Sequence, residues 1–222
     1  MIKPYYQDEW VTIYNADCRE ILPELPDGSI SMVHTDPPYP REFLYCYDAL
    51  SKFTPRVLED GGFLYAYLGA ETLPDIIKYF DGKLDWFWLF NIKHNGGAPR
   101  MWNKHLMVTS KPIVVYTKGK PRELKWCAND FVSENTDKRF HEWGQSIGFP
   151  LQHIEMRTNP TDTVLDPFMG AGTSLLAAKI LGRKSIGCDI SEESCEIAAK
   201  RCMQTVMNFE PVKEKIEQVS LI

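Results

Sequence analysis

The chain has 222 residues, enough for one sizeable core with one insertion and too few for a large multidomain machine. With 44% hydrophobic and 25% charged residues, it has the make-up of a soluble globular protein, neither disordered nor fibrous. Its 25 basic and 30 acidic side chains leave a net charge of −5, which as an average argues against a polyanionic partner. The charge is segregated, however: residues 92–140 hold ten Lys/Arg against four acids, a local charge of +6, and the remainder carries −11.

In chain order, residues 10–14 are β-branched and aromatic and read as a strand, and Cys18 to Leu25 reads as a short helix stopped by the turn Pro26-Asp27-Gly28-Ser29. Ile30 to Thr35 reads as an apolar strand that runs straight into Asp36-Pro37-Pro38-Tyr39. Two successive prolines neither extend a sheet ladder nor continue into a helix, so the chain must leave the strand as a stiff loop with Asp36 held at its lip. Residues 44–58 read as a helix, Gly61-Gly62 as a break, 63–68 as a buried strand, 72–80 as a helix and 84–92 as another apolar strand. This alternation predicts a parallel α/β sheet.

From His94 to about residue 140 the pattern gives way to a basic, aromatic stretch with one strand, Pro112 to Thr117, and reads as an inserted arm. The alternation then resumes: a helix at 150–157, a strand Thr163 to Asp166, a loop Pro167 to Ser174, a helix at 174–181, a strand Ser185 to Cys188 closing on Asp189, and a helix at 191–207. Six cysteines without a C-x-x-C pair read as free thiols, and MIKPYYQDEW contains no apolar leader. The longest strongly hydrophobic run, Trp86 to Phe90, is too short for a membrane span. A cytoplasmic protein is expected.

Gly170-Ala171-Gly172 follows a strand and opens a helix, the setting in which glycines let a ligand approach the backbone and helix amides point at it. Asp189 ends the next strand 23 residues after Asp166, close to the offset of about 20 at which an acid binds ribose hydroxyls. Together they predict a nucleoside cofactor. In a doubly wound sheet, ligands sit outside the carboxyl ends of the strands where the strand order reverses. If the strands ending at Asp166 and Asp36 are the neighbours flanking that point, their two loops meet over the same crevice.

The pair Asp36-Pro37-Pro38-Tyr39 and Asp166-Pro167-Phe168-Met169-Gly170-Ala171-Gly172-Thr173 resembles the catalytic and S-adenosylmethionine motifs of the amino-methylating DNA methyltransferases. Their order, catalytic motif first, resembles the circularly permuted β group of that family. The resemblance covers roughly residues 12–92 and 141–207 and implies a Rossmann-like, doubly wound, mostly parallel α/β sheet with a small inserted recognition region. Residues 1–92 would form the catalytic half, 93–140 the target-recognition insertion, 141–207 the cofactor half and 208–222 a C-terminal tail.

The resemblance also implies roles. Asp36, Pro37, Pro38 and Tyr39 would be catalytic. S-adenosylmethionine would be held by Asp17 and Cys18 of Asn15-Ala16-Asp17-Cys18, by Asp36, by Asp166, Pro167, Phe168, Gly170, Gly172, Thr173 and Ser174, and by Asp189 and Ile190. Gln145 and Ser146 join them from His141-Glu142-Trp143-Gly144-Gln145-Ser146, which stands where many members have a His-Pro start and a lysine. An exocyclic amino group is a poor nucleophile, because its lone pair is delocalised into the ring. The Asp36 carboxylate and Pro37 carbonyl would accept its two protons, on a floor kept rigid by Pro38, and Tyr39 would stack on the base. Reaching that amino group in a duplex requires taking the base out of the stack.

The reaction implied is methylation of adenine N6, with Asp36 in place of the serine more usual in cytosine-N4 members. Cytosine N4 is the nearest alternative, ahead of a non-catalytic nucleic-acid-binding protein and of an NAD oxidoreductase, for which a third glycine is missing. DNA is the expected partner, with a cognate restriction nuclease and a second copy of the chain as further candidates. Arg100, Lys104, Lys118, Lys120, Arg122 and Lys125 are the candidate phosphate ligands, and Trp102 and Trp126 the candidate stacking or wedge residues. His34, Cys195 and Cys202 read as core. His94, His105 and His153 have no partners at metal spacing, so no metal is expected.

Overall fold

A computed structural model of the chain describes residues 2–93, 99–121, 124–132 and 146–204. The elements are β1 (Tyr6–Gln7), β2 (Val11–Asn15), α1 (Cys18–Ile21), β3 (Ile30–Thr35), α2 (Leu44–Val57), β4 (Leu58–Tyr67), α3 (Leu73–Phe80) and β5 (Asp85–Lys93). A small hairpin follows, β6 (Arg100–Met101) with β7 (Leu106–Met107), then β8 (Ser110–Thr117), β9 (Asp130–Val132), α4 (Gly148–Arg157), β10 (Thr163–Asp166), α5 (Thr173–Ile180), β11 (Lys184–Asp189) and α6 (Glu192–Gln204). Nine strands form one sheet in the order β1-β2-β11-β10-β3-β4-β8-β5-β9. None of the described helices is long and apolar enough to cross a membrane.

The centre of the sheet, β2-β11-β10-β3-β4, is parallel. Parallel strands are covered on both faces, so they read as continuous apolar runs. On β4 the alternate residues Leu64 and Ala66, followed by Leu68 just beyond the strand, join the core under α2 and α3, and Phe63, Tyr65 and Tyr67 join the core under α4 and α5. β3 divides likewise, with Val33 on the first face and Met32 on the second. Cys195 and Cys202 lie in a third cluster, where α6 and α5 cover β2.

The sheet is mostly parallel, as expected, and turns antiparallel beyond β4. β8 pairs antiparallel with both β4 and β5, and so lies between them. The reason is local: no α-helix lies in the described part of the connection from β5 to β8, which carries the β6–β7 hairpin with a single 3-10 turn instead, and a parallel return needs a crossover. The segment 93–140, expected as an inserted arm, thus supplies an interior strand of the main sheet. The tail at 208–222 lies outside the described residues.

His34 and His153 are buried, at 2% and 1% exposure. His34 Nδ1 lies 3.0 Å from Ser174 Oγ, and His153 Nδ1 lies 3.3 Å from the Tyr65 hydroxyl. Desolvation lowers both imidazoles to a pKa of about 3. Both rings are therefore neutral in the folded chain, whereas in the unfolded chain they protonate below about pH 6.5. Stability is unaffected above that pH and is lost as pH falls from about 6.5 towards 3, by up to about 1.4 kcal/mol per pH unit for each ring. Replacing His153→Phe should flatten this acid limb, as measured by urea denaturation at pH 5 and pH 7.5.

Gly172 and Gly182 both have left-handed backbones, φ +72° and +71°. A Cβ on Gly172 would stand 2.8 Å from Ala198 Cβ, whereas one on Gly182 would meet nothing within 4 Å. Both alanine variants should lose stability to backbone strain. Gly172→Ala should lose about 1–3 kcal/mol more, from overpacking α6, which differential thermal denaturation of the two variants would measure.

Candidate functional site

β10 and β3 are parallel neighbours, with Val164 opposite Met32 and Leu165 opposite Val33. From β10 the chain passes through α5 to β11 on one side, and from β3 it passes through α2 to β4 on the other. This is the reversal point expected from the sequence, and the two strand ends are joined there. Thr35 Oγ1 donates to Asp166 Oδ1 at 2.7 Å, and the Phe168 amide donates to the same oxygen at 3.2 Å. Asp166 is 3% exposed, and burial pushes its carboxyl up to about 7, against the pull of its bonds to Thr35, Ser174 and Phe168. It braces the loop from below.

A cavity of about 320 Å³ opens over these strand ends. Of the expected cofactor residues, Asp17, Cys18, Asp36, Pro167, Phe168, Gly170, Asp189 and Ile190 line it, and so does Pro38 from the expected catalytic group. Asp166, Gly172, Thr173, Ser174 and Ser146 do not. Gly172 is the N-cap of α5, Ser174 contacts His34, and Ser146 accepts from the Gly148 amide at 3.3 Å. Gln145 lies outside the described residues. Sequence reasoning missed Ala16, Arg19, Phe43, Tyr45, Cys46 and Ala49, which also line the cavity. Cys46 and Ala49, three apart on α2, share a helix face, and that spacing just after the diproline loop was the available signal.

The acids at the strand ends are held by backbone amides. Asp189 Oδ2 accepts from the Gly170 amide at 3.0 Å, and its Oδ1 accepts from Ser191 at 2.9 Å. The Ser191 hydroxyl in turn accepts from the Ser194 amide at 3.3 Å, leaving Asp189 spare lone pairs towards the cavity. Gly170 has φ +47° and no atom within 4 Å of where a Cβ would stand, so the loop leaves open space above its backbone. Asp17 is the N-cap of α1 and is paired with Arg19, whose side-chain bonds hold its carboxyl below its usual pKa. Burial drives the Cys18 thiol up to about 12, which keeps it a neutral wall residue.

Asp36 lies at the lip of β3, as the diproline requires. The Tyr39 hydroxyl donates to its Oδ1, and Lys111 Nζ, from the start of β8, lies 3.3 Å from its Oδ2. Burial, and then the neighbouring Asp36 charge, raise the Tyr39 hydroxyl far above the ordinary phenol range, so it remains a donor.

The five expected phosphate ligands among the described residues do not form one surface. Arg100 and Lys104 lie on the hairpin, and Lys104 reaches Glu71, in the loop after β4, at 3.0 Å, on the Asp36 side of the sheet. Because β8 runs antiparallel, Lys118 and Lys120 fall beyond its far end, beside the start of β4. Lys118 is tied down there by the Leu58 carbonyl at 2.8 Å and by Asp60 at 3.7 Å. Lys125 is exposed on the stretch leading to β9, and Arg122 lies outside the described residues. Trp102 and Trp126 are both exposed.

Comparison with known proteins agrees with this geometry. The Type II methyltransferase M.BamHI of Bacillus amyloliquefaciens is 25% identical, over 90% of this chain and 59% of that protein, so the chain spans less than two thirds of that relative's length. The Type II methyltransferase M1.MboII of Moraxella bovis is 55% identical, over 82% of this chain and 92% of the relative. Among solved structures, the PvuII DNA methyltransferase (cytosine-N4-specific) superposes with a TM-score of 0.82 at 19% identity, covering 93% of this chain and 91% of that one. The M1.HpyAVI–SAM complex superposes at 0.71 with 24% identity, covering 86% and 98%. The model of the DNA methylase family N6_N4_Mtase matches residues 30–200. With Asp36 and Pro38 of the tetrapeptide and the glycine loop lining one cavity, which Pro37 and Tyr39 do not line, the chain belongs to the N6_N4_Mtase family of DNA methylases.

Proposed function

We propose that this chain methylates the exocyclic N6 amino group of adenine in DNA, using S-adenosylmethionine. The observation that carries the reading is a shared space: Asp189 and Gly170 from the glycine-loop side and Asp36 and Pro38 from the catalytic side line the same 320 Å³ cavity. The cavity suits the cofactor chemically. Asp189 offers a carboxylate for ribose hydroxyls, Phe168 and the exposed Ile190 offer apolar faces for a flat heterocycle, and Gly170 leaves its backbone uncovered. When bound, S-adenosylmethionine supplies an electrophilic methyl group on a cationic sulfur.

The chain's own residues prepare the acceptor. Asp36 accepts a hydrogen bond from one N–H of the adenine amino group and the Pro37 carbonyl accepts one from the other, which favours a pyramidal nitrogen with its lone pair directed at the cofactor. The Tyr39 hydroxyl already holds Asp36 Oδ1, so the carboxylate is oriented before a base arrives. Positive charge developing on the amino nitrogen is offset by Asp36, fixed on a loop whose prolines prevent recoil. Aspartate, rather than serine, at the head of the tetrapeptide favours adenine over cytosine as the target.

Asp36→Ala should lower methyl transfer by roughly 100-fold or more while retaining S-adenosylmethionine binding by calorimetry. Equal loss of both would remove Asp36 from its assigned role. Digestion of methylated DNA to nucleosides should yield N6-methyldeoxyadenosine on mass analysis, and N4-methyldeoxycytidine in its place would overturn the choice of base.

A further inference from the structure

Lys111 is a residue that neither the motifs nor the assigned roles use, yet it occupies the centre of the catalytic lip. Its Nζ lies 3.3 Å from Asp36 Oδ2, 5.1 Å from the centroid of the Tyr39 ring and 5.4 Å from that of Tyr67. Its side chain is only 20% exposed. The ammonium thus lies against both groups that a target base would use, the carboxylate that holds the amino group and the ring on which the base stacks.

A cation in that place opposes the reaction. Methylation transfers positive charge to the amino nitrogen, and a lysine paired with Asp36 weakens the carboxylate as its counter-charge and adds repulsion at close range. The ammonium is also a compact charge on a long flexible stem, rooted at the strand start nearest the hairpin that carries Arg100 and Lys104. A DNA phosphate is the partner that can draw such a group away.

We propose that Lys111 is a displaceable counter-ion: in the free protein it neutralises Asp36 and covers the Tyr39 ring, and on DNA binding it moves to a backbone phosphate, releasing both for the flipped base. The inference rests on the proposed DNA reaction and adds a coupling between phosphate contact and exposure of the catalytic carboxylate.

A double-mutant cycle on duplex DNA binding tests it, with Asp36→Asn, Lys111→Met and the pair. Asp36→Asn frees Lys111 and should tighten DNA binding several-fold, and the gain should vanish when Lys111→Met is also present. Lys111→Met alone should reduce the slope of log affinity against log salt by about 0.9, the value for one phosphate contact, and Lys111→Arg should restore it. In methylation assays the Lys111→Met effect should fall chiefly on KM for DNA. An unchanged salt slope, or a gain from Asp36→Asn that survives Lys111→Met, would overturn the proposal, as would a Lys111→Met effect confined to kcat. If the wild-type chain transfers no methyl group, the proposed function fails, whereas the binding cycle still decides the role of Lys111.

Discussion

The bond from Thr35 Oγ1 to Asp166 Oδ1 crosses from β3 to β10 at the point where the chain departs in opposite directions. Everything that makes this a site follows from those two strand ends lying side by side. The Asp36-Pro37-Pro38-Tyr39 loop springs from one and the glycine loop from the other, and a buried carboxyl that must be satisfied holds both. Asp166 acts as this brace, buried beneath the loop residues Pro167 and Phe168 that line the cavity with Gly170. The Asp189 bonds to the Gly170 and Ser191 amides repeat the device one strand away.

Circular permutation becomes a simple matter in these terms. Asp36 precedes Asp166 by 130 positions, yet a parallel ladder brings their strands into register without regard to chain order. What the geometry demands is two adjacent parallel strands with crossovers of opposite sense. Either half of the chain can be made first.

The antiparallel strand β8 carries more functional weight than a strand in an inserted segment would. By returning between β4 and β5 it delivers its first residues, including Lys111, to the catalytic lip, and its last, including Lys118 at the edge beyond it, to the opposite end of the sheet. Among the described residues, the basic side chains of this segment are therefore divided between two ends of the sheet about a strand length apart, and Lys93, Arg100, Lys104 and Lys111 share the side of Asp36. The net charge of −5 is then no obstacle to binding a polyanion, since the field that matters is local to that lip.

Much of this was legible in the residues alone. The apolar runs of β3, β4 and β10, the diproline after Asp36, the glycines before α5 and the acid closing β11 are local signals, and local sterics and hydrogen bonding enforce them wherever they occur. They determined the parallel core and the two loops, while the family resemblance of the two motifs pointed to the eight expected cofactor residues that line the cavity. The tertiary structure alone decided what depends on direction and distance: that β8 turns back, that Lys118 and Lys120 face away from Asp36, that Phe43, Tyr45, Cys46 and Ala49 wall the cavity, and that Lys111 meets Asp36 across 75 positions. Composition cannot reveal these, because reversing one strand exchanges its two ends while leaving every residue and every local preference along it unchanged.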